Sequence, residues 1–331
     1  NQFKIQMSIA EQNKIQFDKV IMDIISEHEI TPIEQYINKE KGTYGWGILH
    51  EDKVVALLVT QIVSESNVLN IIEFWVIDDF CGKNMEHELL AVAKEQMRRE
   101  RRKSLELKCQ IDGIAETIWF LSTKKRLTET DLEIRMETTD EWHAVEELTQ
   151  RAFWNKFHLG CDEHYLVHKL RQSDDYLPSL SRIAIKDGQI IGCIMYSKAK
   201  VVQEEHSHEV ITFGPLCVAP EWQGCGVGEL LLRKTMEIAT NAGYKAIIIF
   251  GEPDYYPKIG FKTCDHFNIT TKDGGNFSAF MCIELNLDGL KNITGKFYES
   301  DVFENLPKEE VGEFNKKFPA LRKLRFPGQW D

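Results

Sequence analysis

Apolar and polar positions along this chain follow two periods, and the order in which those periods change occurs twice. Phe3, Ile5 and Met7 alternate as in a short strand, and apolar residues across 15–25 recur at helical spacing. Thr31-Pro32-Ile33-Glu34 has a capping-box pattern with proline at the first helical position, which predicts a second helix. Period-two runs predict strands at 44–50, 54–65 and 68–77, the first two joined by the polar turn Glu51-Asp52-Lys53. A helix over 85–102 and a strand over 104–108 complete the set. The pattern then restarts with a strand at 132–136 and helices at 140–153 and 163–171. Residues 183–191 form a hairpin pattern around Asp187-Gly188, a dipeptide that accepts the positive φ of a two-residue turn. An apolar strand ending at Val218 leads into a helix with Val227, Leu231, Ile238 and Ala242 on one face. Leu230 and Leu232 widen that stripe, Gly243 is placed to end the helix, and 246–250 is another apolar strand. The polar stretch 123–131 separates the halves, dividing the chain into 1–128 and 129–331. In the last stretch, Phe297, Tyr298, Val302, Phe303, Phe314, Phe318 and Leu321 predict a tail docked on the body of the protein.

Length and composition allow two full cores: 331 residues, 43% of them hydrophobic. No apolar run reaches membrane length, and the opening residues lack a secretory apolar region, so a soluble, cytoplasmic protein is expected. Cys81, Cys109, Cys161, Cys193, Cys217, Cys225, Cys264 and Cys282 follow no paired spacing and read as reduced thiols, with neither a disulfide frame nor a metal site. The net charge of -12 argues against nucleic acid or an anionic membrane as partner and leaves room for a cationic amine. The basic run Arg98-Arg99-Glu100-Arg101-Arg102-Lys103 sits at a predicted helix end, where cations complement the helix dipole.

The densest chemical signal is Leu216-Cys217-Val218-Ala219-Pro220-Glu221-Trp222-Gln223-Gly224-Cys225-Gly226-Val227-Gly228, a strand, a glycine-rich turn and a helix start. Glycines let a ligand approach the backbone, and the first-turn amides of the helix point outward at its positive end, which suits a diphosphate. The spacing is neither the dinucleotide fingerprint nor a P-loop, since no Lys-Ser or Lys-Thr follows the last glycine.

Gln223-x-x-Gly226-x-Gly228 instead resembles the Gln/Arg-x-x-Gly-x-Gly/Ala signature of the GNAT acetyltransferases. Tyr256-Pro257-Lys258-Ile259-Gly260-Phe261 resembles the Tyr-x-x-x-Gly-Phe element that closes the acyl-CoA site in that superfamily. Gly192-Cys193-Ile194-Met195-Tyr196-Ser197, Thr212-Phe213-Gly214-Pro215-Leu216 and 163–171 look like one bacterial branch of predicted N-acetyltransferases, and the similarity covers roughly residues 131–300. The resemblance implies an α/β (α+β) architecture of two tandem GNAT-like domains, each a mixed, mostly antiparallel sheet flanked by helices. It also implies an acetyl-CoA-dependent N-acetyltransferase acting on a primary amine of a small molecule, peptide or protein, without a metal.

By the same resemblance, Leu216, Cys217 and Val218 contact the pantetheine arm, and Gln223, Gly224, Cys225, Gly226, Val227 and Gly228 hold the diphosphate. Tyr256 stands where the family has a general acid toward the coenzyme sulfur; the alternative is a ring packed on the sheet, and Tyr255 beside it reads as structural. Thr212 occupies the position where some relatives carry a catalytic glutamate. Glu252 either orients the amine and relays a proton or caps the short helix near Pro253. Glu163 and His164 either contact the acceptor or serve as helix-start and solvated polar residues. His206 and His208 flank a serine in a polar hairpin without further ligands around them.

Aligning Cys81-Gly82-Lys83-Asn84-Met85-Glu86 with Gln223 through Gly228 leaves only the first glycine in common. A carboxylate then lies where a diphosphate would, and two like charges about 4 Å apart repel by roughly 4 kcal/mol at an effective dielectric of about 20. The first half therefore reads as a GNAT-like domain without a competent acyl-CoA site. The alternative for the whole chain is a non-catalytic acyl-CoA sensor or scaffold.

Overall fold

The computed structural model describes residues 28–38, 40–62, 68–80, 85–100, 102, 104–111, 114–121, 125–326 and 329. The strand expected around Phe3 to Met7, the helix expected at 15–25 and the turn Cys81 to Asn84 lie outside them. Two compact units make up the chain: Asn1–Lys124 with Trp154–Cys161 and Ala320–Asp331, and Lys125–Phe153 with Asp162–Pro319. Two short pieces beyond the 128/129 boundary thus join the first unit, for a visible reason. Arg99 donates to the carbonyls of Trp154 (2.8 Å) and Asn155 (2.5 Å), and Trp154 Nε1 and Asn155 Nδ2 both donate to the Arg322 carbonyl at 2.7 and 2.8 Å.

The first unit is a six-stranded sheet in chain order: β1 (Ile30–Pro32), β2 (Thr43–His50), β3 (Lys53–Ile62), β4 (Val68–Val76), β5 (Ser104–Ile111) and β6 (Ile114–Leu121). All neighbours are antiparallel except β4 and β5, which are parallel and joined through α1 (Met85–Arg99). No α-helix opens at Thr31. Ile30 to Pro32 pairs with Trp46 to Ile48 as an edge strand, where proline's missing N–H is tolerated, and a single 3₁₀ turn, Glu34–Tyr36, follows. The sequence reading also stops short at 108, whereas β5 continues to Ile111 and turns back as β6. Leu89, Leu90, Val92, Ala93 and Met97 of α1 pack into one core with Trp46, Ile48, Leu58 and Ile71 of the sheet and with Leu324 and Phe326. Arg98 and Arg99, from the basic run, pair with Glu95 one turn back on α1.

The second unit repeats this connectivity. Its sheet contains β7 (Glu133–Arg135), β8 (Arg182–Lys186), β9 (Gln189–Gln203), β10 (His206–Val218), β11 (Ala246–Phe250), β12 (Lys262–Thr263), β13 (Ile269–Thr270), β14 (Phe280–Glu284) and β15 (Gly295–Tyr298). From β7 to β10 neighbours are antiparallel, β10 and β11 are parallel, and β14 returns antiparallel beside β11. Lys186 pairs with Gln189 across the expected Asp187-Gly188 turn, with φ of 49° and 78°. Two helices, α2 (Trp142–Phe153) and α3 (Glu163–Leu170), precede β8, and α4 (Val227–Asn241) joins β10 to β11. Cys193 of β9 meets Thr149 of α2 and Tyr196 meets Thr235 of α4; three residues apart on a strand, they place α2 and α4 on opposite faces. That is why β9 is buried without interruption from Ile191 to Ser197. In the tail, β15 pairs with β9, and α5 (Lys308–Asn315) lays Phe314 against Tyr165 of α3.

The buried face of α4 is Val227, Leu231, Leu232, Thr235 and Ala239; Ala242, expected on it, is exposed. The expected stripe skipped a polar residue that the fold satisfies. Thr235 Oγ1 donates to the Leu231 carbonyl at 2.9 Å and bonds with the Tyr196 hydroxyl, also at 2.9 Å. Leu231→Ala is therefore expected to lower unfolding stability by about 2–5 kcal/mol, and Ala242→Ser to leave it within about 0.5 kcal/mol, as read from urea transition midpoints.

Candidate active site

The site begins where two parallel strands part. β10 and β11 are in register at Ile211 and Ile247, and no further pair follows among the described residues although β10 runs on to Val218. Beside this opening, the register of β10 against β9 shifts between Phe213 and Leu216, around Gly214-Pro215. A Cβ on Gly214 would lie 2.9 Å from Phe303, so the tail beyond β15 supplies a ring directly over the bulge. The expected pantetheine residues occupy the last stretch of β10: Leu216 opposite Ile194, Cys217 opposite Cys193, Val218 opposite Gly192. Cys217 points its thiol at Cys193 Sγ, 3.2 Å away, and at Thr149 of α2, so only its backbone is available at the opening.

The glycine turn closes the end of the opening. Gln223, expected among ligand-binding residues, donates its side-chain amide to the Val218 carbonyl at 3.0 Å and so ties the turn to the strand. Cys225 is buried, and its carbonyl receives the Leu127 amide at 2.8 Å. Gly226 is the N-cap of α4 with φ of 88°, a left-handed conformation that a side chain would strain. Val227 buries its side chain beneath the first turn, while Gly224 has open space beyond its Cα and Gly228 faces the Tyr255 hydroxyl, 3.2 Å from where a Cβ would be. Tyr255, read from the sequence as structural, thus reaches the start of α4.

Tyr256 lies at the end of the neighbouring strand β11, in a 3₁₀ turn, Tyr256–Ile259. The spacing of Tyr-x-x-x-Gly-Phe has a mechanical basis: Gly260 takes φ of 117° and the Phe261 amide returns to the Tyr256 carbonyl at 3.3 Å. The Tyr256 ring packs at 5.4 Å from Phe261 and 5.9 Å from Phe213 of β10. It also lies so close to Gly251 that a Cβ there would come within 2.3 Å of it. Burial first, then the neighbouring Tyr255 and Glu252, push the Tyr256 phenol above its ordinary range, so it holds its proton at neutral pH. Glu252 stands within the electrostatic reach of that phenol. Its carbonyl accepts the Tyr255 amide at 3.0 Å and the Tyr256 amide at 3.4 Å, while the N-cap of the 3₁₀ turn itself is Tyr255.

Other candidates resolve differently. Thr212 is buried on β10 opposite Ser197. His164 is buried between Phe314 and Phe318, and desolvation lowers its pKa to about 4, although Asn315 favours the charged form. It is a neutral ring packed under the tail, not an acceptor contact. Glu163 accepts the Asp162 amide at 3.2 Å, the helix-start role. His206 and His208 lie on β10 just past the hairpin turn, and among the described residues no group of three His, Cys, Asp or Glu is placed to hold a metal. Sequence reading missed Glu299, half-buried after β15: desolvation, with Glu304 adding and Lys272 opposing, pushes it up to about 7.

Residues 142–261, spanning α2, the glycine turn and the Tyr-x-x-x-Gly-Phe turn, match the family model of the acetyltransferase (GNAT) family. Those residues are a GNAT-family domain. Among curated proteins, the GNAT unit is 29% identical over 163 residues to the uncharacterized N-acetyltransferase YhbS of Escherichia coli, covering 49% of this chain and 92% of the relative. The uncharacterized N-acetyltransferase YjhQ of Escherichia coli K12 is 34% identical over 120 residues, 36% of this chain and 64% of YjhQ. The crystal structure of Escherichia coli YhbS in complex with CoA is similar at a TM-score of 0.48, with 26% identity, over 54% of this chain and 94% of that one.

Glu299 generates a pH prediction. Its folded pKa of about 7 exceeds the ordinary 4.5, so the native state binds this proton more tightly and the stability it contributes is full below pH 4.5. That contribution is lost as pH rises through about 7. Glu299→Gln is expected to flatten the fall in stability across this window, measured by urea unfolding at stepped pH.

Proposed function

We propose that the GNAT unit is an acetyl-CoA-dependent N-acetyltransferase that moves an acetyl group to a primary amine by direct attack on the thioester. The observation that carries this reading is the placing of Tyr256, at the end of β11, beside the parting of β10 and β11 that the glycine turn closes. The first-turn amides of α4 would hold the diphosphate, and the last stretch of β10, Leu216 to Val218, would run along the pantetheine. A neutral amine adds to the carbonyl carbon, its proton leaves through water toward Glu252, the C–S bond breaks, and the departing thiolate takes the Tyr256 proton. The amine would enter from the α3 face, where Phe303 covers Gly214. The first unit, with Glu86 aligned to Gly228, would be a second GNAT-like domain that binds no acyl-CoA.

Calorimetric titration is expected to find one CoA per chain; two equivalent sites would refute the reading of the first unit. Gly228→Glu reproduces Glu86 at a position that asks for no positive φ, and a carboxylate in the first helical turn favours the helix. The variant is expected to keep its thermal midpoint and to lose CoA affinity by at least about 100-fold, through repulsion of a few kcal/mol.

Tyr256→Phe keeps the ring contacts and removes the donor. Turnover with an amine panel is expected to fall about ten-fold or more while CoA affinity stays within about two-fold. The loss should shrink with an acyl donor whose thiol is more acidic, since that leaving group needs less protonation.

A further inference from the structure

The segment that leads into the GNAT unit puts a cation on the glycine turn. Leu127 donates its amide to the Cys225 carbonyl at 2.8 Å, and Thr128 then closes on Asp131 with its amide at 2.8 Å and its hydroxyl at 2.7 Å. Arg126 is thereby held next to Gly226: its Cγ, Nε and Cζ lie 3.2, 3.5 and 3.7 Å from the point where a Cβ would stand. The stem can lie this close because Gly226 has no side chain. The guanidinium reaches along the first turn of α4 to Glu229, with Nη2 2.5 Å from Oε2.

Glu229 has a second partner. Arg233, one turn along the same helix, donates Nε to Oε1 at 2.8 Å, and the two arginines together hold the Glu229 carboxyl below its usual range. Two guanidinium groups on one carboxylate leave a net positive charge at the helix start. The two partners differ in how they are held. Arg233 is on α4 itself and stays beside Glu229 whatever happens in the site, whereas Arg126 comes from a different segment and its side chain is 69% exposed. Releasing Arg126 leaves Glu229 paired and uncovers a mobile cation above the N-cap.

We propose that Arg126 is a phosphate-binding residue of the acyl-CoA site, exchanging Glu229 for the diphosphate of the incoming cosubstrate. The proposal rests on the reading of the Gln223 to Gly228 turn as that site. Its position over Gly226 selects the diphosphate and not the 3′-phosphate at the far end of the nucleotide. The planar fork of an arginine accepts two phosphate oxygens at once, and the outgoing carboxylate presents the same paired-oxygen geometry. The arrangement also answers an electrostatic difficulty, since an uncompensated Glu229 in the first turn would repel the diphosphate. With Arg233 retained, the carboxylate is masked while Arg126 changes partner.

Titration of CoA and of dephospho-CoA, which keeps the diphosphate but lacks the 3′-phosphate, into the native chain and into Arg126→Ala and Glu229→Gln tests this. Arg126→Ala is expected to weaken both ligands alike by about ten-fold, the scale of one charge-assisted hydrogen bond. Glu229→Gln should bind both at least as tightly as the native chain, because the competitor for Arg126 is gone. An exposed ion pair adds little stability, so the variants should keep the native thermal midpoint. Unchanged affinity in Arg126→Ala, a loss confined to CoA, or weaker binding in Glu229→Gln would each overturn the exchange while leaving the site in place. Failure of the native chain to bind either ligand would instead overturn the reading of the site itself.

Discussion

Everything at the site depends on a pairing that stops. Parallel strands in a sheet normally satisfy each other's amides and carbonyls along their length, and a buried backbone group without a partner is costly. β10 and β11 are in register at Ile211 and Ile247, and β10 then runs seven residues further to Val218. Beyond Ile211 no further pair with β11 follows among the described residues, and the proposed acyl-CoA, an extended molecule with amide groups of its own, would lie along that stretch. The bulge at Gly214-Pro215 lies within that stretch of β10, and the turn at Gln223 to Gly228 follows its end and starts α4.

The first unit carries the same parallel pair with a different outcome. β4 and β5 remain in register over four positions, Val68 to Ile71 with Ser104 to Leu107. The longer zipper occurs in the unit whose sequence lacks the glycines at 84 and 86. Two sheets with one connectivity thus differ in how far a central parallel pair stays in register.

Much of this was legible beforehand, for reasons that can be named residue by residue. The hairpin at Asp187-Gly188 and the turn through Gly226 were readable because each requires a positive φ that few residues supply. The strand runs of β2, β3 and β4 were readable because apolar side chains dominate them. Thr31 to Glu34 misled because a capping pattern is local, whereas pairing with Trp46 to Ile48 is not, and the non-local contact prevailed. Thr235 was passed over because hydropathy cannot register a hydroxyl whose partners come from its own helix and from Tyr196. That the Gln223 amide braces the Val218 carbonyl is not legible in the motif, because the bond depends on how the turn folds back on the strand. The positions of Arg126 beside Gly226 and of Phe303 beside Gly214 were not legible for a common reason. Each is brought to its place by tertiary structure from a segment outside the motif, and no spacing in the sequence announces it.

The membership of the two units also sets an order of assembly. The first unit draws on Trp154–Cys161 and Ala320–Asp331, whereas the second is complete at Pro319. During synthesis, when chains emerge at about 5–20 residues per second, the GNAT unit has all its parts before the unit that precedes it does. The sheet made first waits for Leu324 and Phe326, which complete its core only after the later unit has been made. In the order of translation the second unit therefore has its last segment by residue 319, while the first still lacks the one that brings Leu324 and Phe326, the reverse of the order in which their strands were made.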